Sequence, residues 1–233
     1  RLVIYNSFAG LDSHAQFGFQ RSPHAVIPNG LNLGAYAPRP DQRRAVRDDW
    51  YIGETPWIGM ITRYHPRKGI PEFLHAVRQL RGAGIEAKFF LAGSGMQADN
   101  TALSGLLDEL DLRQAVTLLG EIDDVPRFLN GVDLVVIASA REGTPNILLE
   151  AMACGVCTVA TAVGDVARIL SDPGRVVRPG DVGDLAGKIA AALADPADPA
   201  ERVAAERALP QKEYDIGQCV AAYQHHYEAL VNG

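Results

Sequence analysis

Short apolar runs rich in β-branched residues alternate along the chain with longer amphipathic stretches, which is the pattern of βα units in a parallel sheet. The runs predict strands over Trp57 to Thr62, Lys88 to Ala92, Val116 to Leu119, Asp133 to Ala138, Cys157 to Ala160 and Arg175 to Val177, each followed by a helix-compatible stretch. Local punctuation agrees. Pro71 stands at a first-turn position and Gly82 lies just past Leu80, the Pro-in, Gly-out asymmetry of helix ends. Asp123 and Asp124 are cap candidates for a short helix through Phe128, and Asp181 or Asp184 for an alanine-rich helix through Leu193. Strictly alternating units predict an α/β fold, a Rossmann-like doubly wound parallel sheet that binds ligands outside the carboxyl ends of its strands.

The two ends of the chain read differently. Residues 1–37 predict a strand (Leu2 to Asn6), a helix, a second strand (Ala25 to Pro28) and a turn at Pro28-Asn29-Gly30. Residues 38–56 are polar, carry Pro38 and Pro40, and read as a linker to the main domain, 57–214. Asp195 to Pro199 is a further break. Residues 215–233 hold a closing helix, about Asp215 to Val231, whose Ile216, Val220, Tyr223, Tyr227 and Leu230 recur at helical spacing. Arg1 in place of an initiator Met, followed at once by a strand-like run, is read as a sign that upstream sequence is missing.

Composition narrows the function classes. The 233 residues are 47% hydrophobic, enough for a sizeable core. A formal charge of -6 and a pI near 5.5 argue against a general nucleic-acid binder, which needs a surplus of Lys and Arg. No apolar run reaches the roughly 18 to 20 residues that span a bilayer, and three cysteines make no disulfide framework. The expected compartment is the cytoplasm.

Two constellations carry chemistry. The first, Arg63-Tyr64-His65-Pro66-Arg67-Lys68-Gly69, follows the strand Trp57 to Thr62. Its cations fall where parallel sheets bind anions: Arg63 can grip phosphate oxygens as a fork and Lys68 adds a point charge. Taken alone, this could equally be a solvated basic loop. The second runs from Arg141 through Glu142-Gly143-Thr144-Pro145-Asn146-Ile147 to Glu150, after the strand Asp133 to Ala138. With Pro145 as first helical residue, the amides of 143–148 cluster at a helix N-terminus, a ready anion site. Carboxylates beside a bound anion would repel it, so Glu142 and Glu150 are better explained as acceptors for sugar or ribose hydroxyls. The bland alternative makes Glu142 a partner of the helix dipole and Glu150 a surface residue.

These residues carry a family resemblance. Pro28-Asn29-Gly30, Arg63 with Lys68-Gly69, Gly93-Ser94-Gly95 and the Glu-x7-Glu pair Glu142/Glu150 resemble, in order and spacing from about Asn6 to Leu230, the C-terminal domain of the family 4 glycosyltransferases of GT-B fold. The resemblance implies a retaining transferase whose donor is a nucleotide-diphosphate sugar of the UDP, GDP or ADP type. It implies that residues 1–37 are the last βα segment of an acceptor domain, and that the final helix crosses back to that domain. It further implies that Arg63 and Lys68 neutralise the diphosphate, that Glu150 binds the ribose hydroxyls, and that Glu142 with Gly143, Thr144, Pro145, Asn146 and Ile147 holds the sugar. The base would rest near Glu121 and Ile122, with Gly93 and Gly95 turning the backbone close by. The acceptor is expected to be a glycan or lipid-linked glycan, engaged through the missing domain, which could also bring peripheral contact with the cytoplasmic face of a membrane. The chain contains no Asp-x-Asp, so no metal is expected to bridge the diphosphate.

Weaker signals compete with this reading. Gly93-Ser94-Gly95-Met96-Gln97-Ala98 between a strand and a helix matches a loose dinucleotide fingerprint, with Glu121 as a conceivable ribose ligand. That rival, an NAD(P)-binding oxidoreductase domain, leaves Arg63, Lys68, Glu142 and Glu150 without work. A catalytically silent GT-B scaffold is the non-enzyme alternative. Cys154-Gly155-Val156-Cys157 is a C-x-x-C, but it follows a helix C-terminus and no second pair completes a zinc site, so both read as small buried residues. His65 is the one histidine near the proposed site and reads as a loop neighbour without a fixed role. Gly164-Asp165 reads as the cap of the helix after Thr161, and in the transferase reading it could also border the donor sugar.

Overall fold

The computed structural model describes residues 2–18, 22–170, 172–196 and 199–232. It begins with a small unit, β1 (Val3–Tyr5), α1 (Phe8–Gln16) and β2 (His24–Val26), whose two strands pair in parallel. A helix, α2 (Pro40–Asp49), leads into the main sheet. Its strands are β3 (Trp57–Ile61), β4 (Lys88–Ala92), β5 (Val116–Gly120), β6 (Leu134–Ile137), β7 (Cys157–Thr161) and β8 (Val176–Val177). All six anticipated strands are present, with ends within a residue or two of expectation.

The strands lie in the order β5-β4-β3-β6-β7-β8, every pair parallel. The chain therefore enters at the centre, works outward through β4 and β5, then returns to build the other half from β6. The reversal leaves a crevice beyond the carboxyl ends of β3 and β6, where doubly wound sheets bind ligands.

Both faces of the sheet are covered, which is why its strands are continuous apolar runs rather than alternating ones. Ile58, Met60, Phe89, Leu91, Leu134 and Val136 face one core, with Phe73, Leu74 and Val77 of α3 (Ile70–Gly82), α4 (Thr101–Glu109) and α8 (Val182–Leu193). Their immediate neighbours Trp57, Phe90, Ala92, Val135 and Ile137 face the other core, with α5 (Val125–Leu129) and α6 (Asn146–Ala153). Burying each of Phe89 and Phe90 stabilises the fold by roughly 1.5 to 3 kcal/mol. The expected caps are partly as read: Asp124 accepts from Arg127 N, and Asp181, not Asp184, accepts at α8.

The stretch read as a polar linker, 38–56, instead holds α2, docked by a buried arginine. Arg47 is 5% exposed and donates to Gly53 O at 2.7 Å, Thr55 O at 2.6 Å, Gly131 O at 2.9 Å and Asp133 Oδ2 at 2.9 Å. The charges that suggested a solvated connection are in part structural, because a guanidinium can saturate several carbonyls at once. The break expected over 195–199 falls partly on 197–198, outside the described residues, as does Arg1. Beyond it lie a helix not anticipated, α9 (Pro199–Glu213), a short α7 (Val166–Ile169) having come earlier, and the closing α10 (Ile216–Asn232). Leu31 and Asp215 form a parallel bridge, and a Cβ on Gly30 would meet Ile216 Cα at 2.7 Å, so α10 sits directly on the Pro28-Asn29-Gly30 turn. Ile216, Val220, Tyr227 and Leu230 remain exposed on it. Among the described residues no helix is long and apolar enough to cross a membrane.

Candidate functional site

Two loops meet at the carboxyl ends of the central strands. The loop after β3 turns through a short 3-10 segment, Pro66–Lys68, and closes on Gly69 at φ 69°. A Cβ there would lie 1.9 Å from Ala138 O, so only glycine lets this loop back onto the end of β6. Arg67 O then accepts from Ala140 N at 2.9 Å. His65 does have a fixed role, contrary to expectation: its side chain accepts from Arg67 N at 3.2 Å and caps the turn.

That seating brings Lys68 to Glu142. Lys68 Nζ lies 2.5 Å from Glu142 Oε1, and Ser139 Oγ donates to the same oxygen at 2.7 Å. Both charged side chains are mostly buried, at 21% and 15% exposure, where screening is weak and a charge-assisted bond is strong. Glu142 is thus held by side chains of both loops and does not cap α6. An ammonium has three donors, so Lys68 retains two for another anion.

Two hollows meet at this pair, and a third borders Glu142 alone. One of about 300 Å³ is lined by Lys68, Glu142, Thr144, Pro145, Asn146 and Ile147, with Asn29 at its edge. A second, about 310 Å³, gathers Arg63, Arg67, Lys68 and Arg141 beside Glu142 and Gly143. The third, about 400 Å³, lies on the α1 side of Glu142 and Gly143 and includes Ser13 and His14. Four cations around one hollow make a strongly anion-attracting surface in a chain whose net charge is negative.

Helix α6 opens onto the first hollow. Pro145, expected as its first residue, instead precedes it: ψ of 115° keeps it extended, and the helix begins at Asn146. No side chain caps that end, so its first amides keep the partial positive charge of a helix N-terminus. Asn146 is tied to the Pro28-Asn29-Gly30 turn, Asn29 Nδ2 donating to its Oδ1 at 2.9 Å.

Glu150 is not part of this convergence. One helical turn further on, it is hydrogen-bonded to Tyr36, and burial pushes its carboxyl above the ordinary carboxylate range. Burial, and then the neighbouring charge of Glu150, push the Tyr36 hydroxyl up to about 12. Glu121 is exposed and Ile122 half-buried, both just beyond β5 and two strands from Lys68. Gly93, at φ 123°, faces Thr62 O, which a Cβ would approach to 2.2 Å; Gly95, at φ 78°, faces Tyr64 Cβ in the same way at 2.7 Å. The glycines therefore pack the β4 loop onto the β3 loop. Because α4 opens only at Thr101 with Asn100 as its cap, the glycine loop lacks the helix N-terminus that a dinucleotide fingerprint needs. Cys154 and Cys157 are buried free thiols, and burial pushes Cys154 up to about 12 and Cys157 upward too, so neither behaves as a reactive pair.

Sequence reasoning singled out Arg63, Lys68, Glu142 and 143–147, which the fold gathers. It gave no role to Ser139, Arg67, Arg141 or Asn29. Arg67 and Arg141 lie inside the two motifs and could have been weighted as cations there; Ser139 had no signal beyond its place at a strand end.

A doubly wound domain with a cationic crevice at its switch point belongs to the nucleotide-binding α/β class, and the architecture is that of the C-terminal domain of GT-B glycosyltransferases. The family model for glycosyl transferases group 1 matches residues 55–195, and the chain belongs to that family. It is similar to the 2-deoxystreptamine glucosyltransferase of Streptomyces kanamyceticus, 26% identical over 93% of this chain and 57% of that one. It is likewise similar to the D-inositol 3-phosphate glycosyltransferase of Mycobacterium ulcerans, 32% identical over 70% and 36%. Among solved structures it matches Anabaena HepE in complex with UDP, with a TM-score of 0.86 at 26% identity, covering all of this chain and 64% of that one. The chain spans about half the length of the curated relatives it matches.

Proposed function

We propose that this chain is the donor-binding part of a retaining glycosyltransferase that uses a nucleotide-diphosphate sugar. The observation that carries the reading is the Lys68–Glu142 pair, set between a four-cation hollow and the uncapped start of α6. Arg63, Lys68 and the first amides of α6, at 146–148, hold the diphosphate, while Gly143 and Thr144 lie at the sugar end. Glu142 accepts from sugar hydroxyls, Glu150 exchanges its Tyr36 contact for the ribose hydroxyls, and the base lies by Glu121 and Ile122. HepE, solved with UDP and with UDP-glucose, and a relative described as GDP-mannose-dependent support this donor class.

Transfer breaks the bond between the sugar C1 and the diphosphate and forms one from an acceptor hydroxyl oxygen to C1 on the same face. The hydroxyl proton passes to the departing diphosphate oxygen. Negative charge grows on that oxygen as the bond breaks, and preorganised cations and amides stabilise it more in the transition state than in the ground state. The two basic residues stand in for a metal. The acceptor is a glycan or lipid-linked glycan held by a further domain, with the enzyme in the cytoplasm or docked on the membrane's cytoplasmic face.

The test is calorimetric titration with UDP-glucose, GDP-mannose and NADH, repeated on Lys68→Ala and Glu150→Ala. A nucleotide sugar should bind, NADH should not, and both variants should bind more weakly. Affinities unchanged in both variants would remove the site.

A further inference from the structure

The Asp165 carboxylate ties three separate parts of the chain together. Its Oδ1 accepts from Ala9 N at 2.8 Å, and its Oδ2 accepts from Phe8 N at 3.0 Å and from Thr144 Oγ1 at 2.8 Å. Its own amide donates to Gly143 O at 2.9 Å. Asp165 is 5% exposed. Although its position suggests a cap for α7, its side chain makes no bond there. It caps α1 instead, beside Ser7 Oγ, which accepts from Gly10 N.

Gly164 makes the arrangement sterically feasible. At φ 56°, a Cβ on it would lie 1.9 Å from Gly143 O, so the β7 loop can back onto the Glu142 loop only with glycine there. A buried carboxylate with three donors has little freedom to move, since each bond to a charged acceptor is strong and an abandoned donor is costly. Thr144 and Gly143 consequently cannot shift without disturbing the first turn of α1.

We propose that Asp165 is a positioning residue, holding Gly143 and Thr144 in the geometry that grips the donor sugar and making that geometry depend on the docking of α1. The inference rests on the donor-site reading of the Glu142 loop. Asp165 acts through Thr144 rather than on the ligand. The diphosphate is held from the Lys68 side by the β3 loop, so loosening the Glu142 loop costs the sugar end of the ligand first. A purely structural role would lower thermal stability and weaken both ends alike.

The discriminating experiment titrates this chain with UDP and UDP-glucose, or GDP and GDP-mannose if that pair binds, for the parent, Thr144→Val, Thr144→Ser and Asp165→Asn. Thr144→Val exchanges the hydroxyl for a methyl of the same size, so it reports even if Asp165→Asn does not fold. Thr144→Val should weaken the nucleotide sugar by about tenfold, the loss of one charge-assisted bond, and the bare diphosphate by less than about twofold. Asp165→Asn should lose in the same direction, and Thr144→Ser, which keeps the hydroxyl, should stay near the parent. Equal losses for both ligands, or parental affinity in Thr144→Val, overturn the positioning role alone. A parent that binds no nucleotide sugar overturns the donor-site reading and this role with it.

Discussion

Lys68 and Glu142, 74 residues apart in sequence, meet at 2.5 Å because they lie beyond the carboxyl ends of β3 and β6, the neighbouring parallel strands between which the strand order reverses. An ammonium already committed to one carboxylate still has two donors, and that carboxylate, fixed also by Ser139, can accept from a hydroxyl. The pair is suited to a ligand that is anionic at one end and hydroxylated at the other.

Removing the ammonium should be costly. Lys68→Ala deletes a charged donor and leaves the 15%-exposed Glu142 without its counter-ion. Loss of a bond to a charged group costs about 1.5 to 3 kcal/mol, so the dissociation constant of a nucleotide sugar should rise roughly 10- to 150-fold. Calorimetry on the variant checks this; a change under about twofold would mean that Lys68 does not touch the ligand.

Gly69→Ala tests the seating of the same loop. Its φ of 69° and the 1.9 Å approach to Ala138 O predict strain of about 1 to 3 kcal/mol, seen as a lower Tm. Donor affinity should fall with it, as Lys68 is carried away from Glu142. An alanine variant with parental Tm would show that the close approach is not needed.

Glu150 bears on pH dependence. Its carboxyl is raised in the fold by burial, so between the unfolded value and the raised folded value the native state binds more protons than the unfolded state. Its contribution to stability therefore falls as pH rises through that window and is restored on acidification. Glu150→Gln, which keeps an acceptor for Tyr36, should raise Tm at pH 8 more than at pH 5, with about 2 to 4 °C for each kcal/mol recovered. Equal shifts at both pH values would show that the carboxylate carries no desolvation cost.

Arg47 should matter for stability and not for donor binding. Arg47→Ala leaves the carbonyls of Gly53, Thr55 and Gly131 and one Asp133 oxygen without this partner, an expected cost of about 3 to 5 kcal/mol. Urea denaturation measures it. Near-parental stability would return 38–56 to the status of a simple connection.

Chelation should not affect the intact enzyme. If Arg63 and Lys68 take the place of a bridging metal, as proposed, in a chain with no Asp-x-Asp, transfer by a protein containing this chain together with an acceptor domain should persist in excess EDTA. Complete loss of turnover would refute the metal-free reading, whereas donor hydrolysis under the same conditions would exclude a silent scaffold.

The sequence by itself determined the sheet, because strands buried on both faces must be apolar throughout, as Ile58 to Met60 and Leu134 to Ile137 are, while the helices between them keep one polar side. It also marked Arg63, Lys68, Glu142 and the start of α6, since glycines, prolines and charges at strand ends signal ligand loops. It did not reveal α2, which is too polar on average to read as a packed helix, or α9, whose hydrophobic pattern is weak, and attachments such as Arg47 to Asp133 are long-range. Nor did it reveal which partner each carboxylate takes. Lys68 with Glu142, Glu150 with Tyr36 and Asp165 with the first turn of α1 were decided only by the strand order and by the close approaches at Gly69 and Gly164. Side-chain pairing across loops depends on distances that no local periodicity encodes.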